Sequence, residues 1–187
     1  MIFGKLIAAA VLATMVLAKK STPEPTLFEA VTRYTASWTR GLYTGFEIGY
    51  FHAPANMTLN KDCLGNDWQN LFVETFTGYQ QTHFTAVNFT VNSLFLFTSM
   101  QNECQFNTAF YRYMTYCYEN YQCHPYTMFQ TLVAKVFQVT SIVNDMAQLI
   151  AGSVPSLTDT QQVVQTYASH IGMDLGKILR LANNFNN

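Results

Sequence analysis

Cys63, Cys104, Cys117 and Cys123 are the most reactive side chains in this sequence, and what their thiols do depends on the compartment the chain enters. Even in number, they suit two disulfides in an oxidising milieu, with three connectivities open on count alone. Zinc is the other chemistry they offer, but none of them stands in a C-x-x-C frame and only His124 lies close by. The histidines His52, His83, His124 and His170 fall in no HExxH frame. His170 and Asp174 are four apart, so on a helix they share either a ligand or proton, or make an ordinary surface pair worth a few tenths of a kcal/mol. Ser169 beside His170 makes no triad, because helix neighbours point about 100° apart. Glu47, Glu74 and Glu103 are too scattered for paired acid–base work, and there is no G-x-S-x-G, P-loop or G-x-G-x-x-G element. With no reactive constellation, the reading is of a protein that is not an enzyme and takes no metal or cofactor.

The compartment is set by the opening residues. Lys5 makes a positive n-region, Leu6 to Leu17 an apolar stretch, and Val16-Leu17-Ala18 a small-residue cleavage site, the pattern of a secretory signal peptide over residues 1–18. The rival is that Ile2 to Ala18 stays as a signal anchor, but it is shorter than the ~20 apolar residues of a span. Cleavage leaves 19–187 as one domain with no stable membrane span. Export makes the cysteines disulfide partners and makes Asn56-Met57-Thr58 and Asn88-Phe89-Thr90 acceptors for N-linked glycan.

Hydrophobic residues make up 49% of the chain and aromatics 15%, while only 11% is charged, against about 25% in ordinary proteins. Net charge is -1, and no basic run follows Lys19-Lys20, so nothing steers the chain toward nucleic acid. A surface of Thr, Asn, Gln and Tyr lacks the repulsion that keeps proteins apart, which favours self-association or a glycan cover.

The elements that position these residues read as helices. Pro23 and Pro25 end a polar leader, and Leu27, Val31, Tyr34 and Trp38 begin a stripe that runs to about Phe51. His52 to Asp62 reads as a loop. From Trp68 a helical period carries Leu71, Phe72, Thr75 and Phe76, and resumes at Phe84, Val87, Val91 and Leu94, with a break expected between Gly78 and Thr85. A third helix spans about Gln105 to Tyr118, burying Phe106, Ala109, Phe110, Tyr113 and Cys117. A fourth, the clearest, holds Phe129, Leu132, Val133, Val136, Thr140, Val143, Ala147 and Ile150 at helical spacing until Gly152 and Pro155 end it. The last opens at Thr158 with Gln161 three residues on, a capping box. The fold class is all-α, a disulfide-stapled bundle of five or six helices.

Helix geometry trims the disulfide choice. Thirteen helical residues put Cys104 and Cys117 ~20 Å apart, beyond the ~7 Å reach of a bridge. Cys104 with Cys123 fails for a similar reason, which leaves Cys63 with Cys104 and Cys117 with Cys123.

Ser37, Gly41, Gly45, Gly49 and Ala53 recur every four residues, as do Ala168, Gly172 and Gly176. Glycine inside a helix costs about 1 kcal/mol relative to alanine, so something must offset two such series. Three readings are open: the two helices pack on each other within one chain, the first ladder is a seam between subunits, or Gly41 to Gly49 is a loop. The arrangement Gly41-x-x-x-Gly45-Phe46-x-x-Gly49, with Cys63, Cys104 and a closing Gly172-Met173-Asp174-Leu175-Gly176-Lys177, resembles small secreted helical cysteine-containing proteins of ciliates and related protists. Cys117 and Cys123 are not part of that pattern. The resemblance implies a secreted helical fold and brings no activity with it.

The run Phe106, Phe110, Tyr111, Tyr113, Tyr116, Tyr118 and Tyr121 has more tyrosine than one inward face holds, and outward tyrosine suits contact with another protein or a carbohydrate. The sequence thus points to a secreted, non-catalytic assembly protein that associates with itself or with another secreted protein. The alternative is a carrier of a lipid or other apolar ligand.

Overall fold

The computed structural model describes residues 25–78 and 85–185; the leader expected over residues 1–18 lies outside them. Among the described residues all regular structure is helical. Helix α1 runs Pro25–Phe51, with proline at the first position, where its missing N–H is no loss. It stops where His52 takes a left-handed conformation, φ 54°. Helix α2 is Asn66–Gly78 and α3 is Ala86–Cys104, so the apolar period from Trp68 to Met100 divides into two helices. Thr85 caps α3 by accepting the Asn88 N–H. Gln105, at φ 55°, then turns a one-residue corner into α4, Phe106–Glu119. A 3₁₀ turn at Tyr121–Cys123 leads to α5, Pro125–Ala134, then α6, Val136–Ala151, and α7, Gln161–Asn183.

Among the described residues there are seven α-helices in place of the expected five or six. The additional division falls at Lys135 (φ −107°, ψ 23°), inside the stretch read as one helix from Phe129 to Ile150. Hydrogen bonding still passes through it, since the Lys135 N–H reaches Thr131 O at 3.0 Å and its carbonyl accepts from Val139 at 3.1 Å. The start of α7 also differs from the capping box at Thr158. Asp159 Oδ2 accepts from the Ser156 backbone and hydroxyl, which closes a turn there and leaves Thr160 as the cap, accepting from Val163.

The frame is the pair α1 and α7, which run side by side in the same direction: Gly41 faces Gln165 and Gly49 faces Met173. Two apolar clusters grow from it. In one, Ala36, Leu64 and the Cys63–Cys104 disulfide are buried under Trp68, Met100 and Phe106. In the other, Tyr50, Phe51 and Phe185 are buried among Phe46, Tyr113, Tyr116 and Leu179. The disulfide Cys63–Cys104 spans 41 residues and ties the head of α2 to the end of α3; Cys117–Cys123 spans 6 and closes the turn after α4. Helices α5 and α6 lie against α7, with the Tyr167 hydroxyl donating to Leu149 O at 3.1 Å.

Candidate interaction surface

The glycine ladders meet each other. A methyl group built on Gly41, Gly45 or Gly49 would lie 2.3, 1.9 or 2.1 Å from the carbonyl oxygens of Gln165, Ser169 and Met173. On the other side, one on Gly172 or Gly176 would lie 2.1 or 2.8 Å from the carbonyls of Leu42 and Phe46. Each glycine Cα therefore packs on a carbonyl one turn from the next, a repeat that suits weak Cα–H···O contacts. Ser37 extends the row and is fully buried, its hydroxyl without a hydrogen-bond partner. Ala53 lies past the end of α1, its N–H donating back to Glu47 O. This seam is filled from within the chain, so the ladder is neither a loop nor a vacant face for a second subunit.

Beside it lies a cleft of about 200 Å³ bordered by Tyr43, Glu47, Leu59, Glu103, Gln105 and Arg112. Glu47 is only 6% exposed, and its Oε1 has no hydrogen-bond partner. Burial raises the Glu47 carboxyl above its ordinary range, while the Tyr43 hydroxyl and the Arg112 charge pull it back. The same burial, with the Glu47 charge, pushes the Tyr43 hydroxyl far up. Arg112 rests on the Phe51 ring, 4.4 Å from its centroid, and Glu103 accepts from Asn60. The group can hold a proton at higher pH than a free carboxyl does. Tyr43 and Glu47, one helical turn apart, give no pairing signal in the sequence, because the partner that encloses them comes from α4.

The outer surface is apolar to an unusual degree. Helices α5 and α6 contain no buried residue. Of the residues that mark this stretch in the sequence, Leu132 is half-buried, while Phe129, Val133, Val136, Thr140, Val143, Ala147 and Ile150 face outward. The residues against α7 are those one position earlier: Met128, Leu132, Lys135, Val139, Ile142, Met146 and Leu149 are half-buried. The helix thus carries two neighbouring stripes, and only one is covered. Both stripes step 4, 3, 4, 3, 4, 3 and cross the break at Lys135, so their spacing does not tell which of the two is covered. Val87, Val91, Leu94 and Phe95 of α3 are also exposed. So is Phe110, expected inside α4: the face of α4 that packs is set by Tyr113 and Tyr116 against Phe185 and Tyr50, which turns Phe110 to solvent. Tyr111, Tyr118 and Tyr121 are exposed as well.

Asn56 and Asn88 are both exposed, the first in the loop after α1 and the second in the first turn of α3. Asp174 is buried and accepts from Lys177 Nζ at 3.0 Å, while His170 faces solvent. A groove of about 410 Å³ runs past Leu149, Val163, Tyr167 and His170. Among the described residues no three His, Cys, Asp or Glu side chains gather as metal ligands, and no helix is long and apolar enough to cross a membrane. Comparison with protein-family models, with curated proteins and with solved structures found no match.

Proposed function

We propose that this chain is an exported, N-glycosylated, non-catalytic protein that contributes to an extracellular or cell-surface layer by associating with itself or with another secreted protein. The observation that supports the reading most is the outward surface of α5 and α6, where Phe129 is 65% and Phe137 89% exposed. Contiguous apolar surface of this kind marks an interaction site when it lies on a folded protein. The low charge, 11% of residues and -1 net, removes the repulsion that would hold copies apart. Two disulfides and exposed sequon asparagines are compatible with the secretory route.

The carrier reading has one feature to draw on, the apolar groove beside Leu149 and Val163, but it lies largely open to solvent, whereas ligand sites enclose most of the ligand's surface. Light scattering on the glycosylated protein, with mass spectrometry of its organic extract, separates the two. Oligomers free of lipid support assembly; a strict monomer that co-purifies with lipid overturns it in favour of the carrier.

A further inference from the structure

We infer that an N-linked glycan on Asn88 lies over the exposed apolar face of α3 and withdraws that face from contact with other proteins; the inference rests on the export and glycosylation reading above and names what one of the two glycans covers. Helix α3 packs inward through Phe89, which meets the Phe76 ring edge-on at 5.8 Å, and through Leu96, whose carbonyl accepts from the Trp68 indole N–H. Side chains three and seven positions beyond Asn88 share its side of the helix, and these are Val91 and Phe95. Val91 is 42% and Phe95 63% exposed, and Val87 and Leu94 continue the exposed face beyond them. Helical side chains lean toward the N-terminus, so Val91 and Phe95 both lean toward the turn that carries Asn88. Seven residues of rise separate Asn88 from Phe95, only about 10 Å.

The occupant follows from the sequon and from the chemistry of the face. Asn88-Phe89-Thr90 puts the acceptor asparagine in the first turn of α3, where it is exposed, so the glycan is tethered at the edge of the patch. The ring of N-acetylglucosamine, the sugar joined to asparagine, holds its bulky groups equatorial, and its axial C–H bonds form an apolar face. That face suits the negative face of a phenylalanine ring and the Val91 methyl groups, while the hydroxyls at the sugar's rim stay in water and keep the surface soluble. A protein partner has less to hold: Glu103 is the one charged residue of α3, and it already accepts from Asn60. The other sequon is the internal contrast. Asn56 stands in a loop, and no large apolar residue between His52 and Asp62 is exposed, so a glycan there has no such face along its own segment.

The test uses the full chain produced through a eukaryotic secretory route. Glycopeptide mass spectrometry gives the occupancy of each sequon, and hydroxyl-radical footprinting reads side-chain exposure. Phe95 is expected to be oxidised several-fold more slowly in the wild type than in Asn88→Gln or Thr90→Ala, which abolish the sequon at different exposed residues. Phe137, which is 89% exposed on α6, should be oxidised alike in all three, and Asn56→Gln should leave Phe95 as it is in the wild type. Enzymatic removal of the glycan from the folded wild type repeats the comparison without a mutation. Phe95 oxidised equally with and without an occupied Asn88, or released just as much by Asn56→Gln, overturns the cover and leaves the glycosylation reading standing. A chain that carries glycan at Asn56 and none at Asn88 does the same. A chain bare at both sites overturns both.

Discussion

Gly45 faces the Ser169 carbonyl so closely that a methyl group on it would lie 1.9 Å from the oxygen and 2.7 Å from the Met173 backbone nitrogen. Both obstacles are main chain, so no rotamer change relieves them. Gly45→Ala gains about 1 kcal/mol in helix propensity and loses more to overpacking, which costs about 1–3 kcal/mol and more where backbone must move. The expected result is a net destabilisation of about 2 kcal/mol in urea unfolding, larger for Gly45→Leu. Gly152→Ala is the control, because its nearest neighbour stands at 3.3 Å at a helix end, and it should change stability little.

The two disulfides should not be equivalent. In the chain-entropy account a bridge restrains the unfolded chain more as its loop lengthens. For separations of 41 and 6 residues this gives about 4 and about 2 kcal/mol. Cys63 and Cys104 are also fully buried in an apolar cluster. Replacing Cys63 and Cys104 together by serine is therefore expected to destabilise more than the same change at Cys117 and Cys123. Equal midpoint shifts in denaturant would refute the ordering.

Much of this architecture is written in local rules. The first helix begins at Pro25 and ends before Pro54 because proline excludes itself from a helix interior, and the pairings Cys63–Cys104 and Cys117–Cys123 follow once a straight helix separates Cys104 from Cys117. What local rules do not carry is orientation. Between Phe129 and Ile150 the sequence has two apolar stripes one residue apart, and periodicity shows that a helix has an apolar face without saying which face meets α7. Phe110 is misplaced for the same reason. The cleft at Glu47 is invisible because its burial depends on Arg112 and Leu59, brought in from distant segments.

Tyr50 and Asn183 form the polar contact inside the second cluster. Asn183 Nδ2 donates to the Tyr50 hydroxyl at 3.0 Å, and both residues are fully buried. Burial pushes the Tyr50 hydroxyl up to about 12. Tyr50→Phe leaves the Asn183 amide nitrogen without this partner, and Asn183 Oδ1 already has none. The expected loss is about 1–3 kcal/mol, the cost of an unsatisfied buried donor. Tyr50→Phe/Asn183→Leu removes both partners and should recover most of it. A double variant no more stable than Tyr50→Phe would show that packing, and not the hydrogen bond, sets the cost.

Glu47 gives stability a pH dependence whose sign is fixed by its raised carboxyl. Below the ordinary value of 4.5 the group is protonated in both the folded and unfolded chain, and its contribution is fully present. Above 4.5 the unfolded chain releases the proton while the buried carboxyl retains it, so the folded state binds more protons and stability falls with pH. The fall ends once the pH passes the folded value. Glu47→Gln, a neutral mimic of the protonated form, removes this slope. The difference in urea unfolding free energy between Glu47→Gln and wild type, followed between about pH 4 and pH 8, is expected to be small at the acid end and to favour glutamine increasingly toward the other. A difference that grows in favour of glutamate would mean that Arg112 stabilises the carboxylate by more than burial opposes it, which would reverse the reading of this cleft.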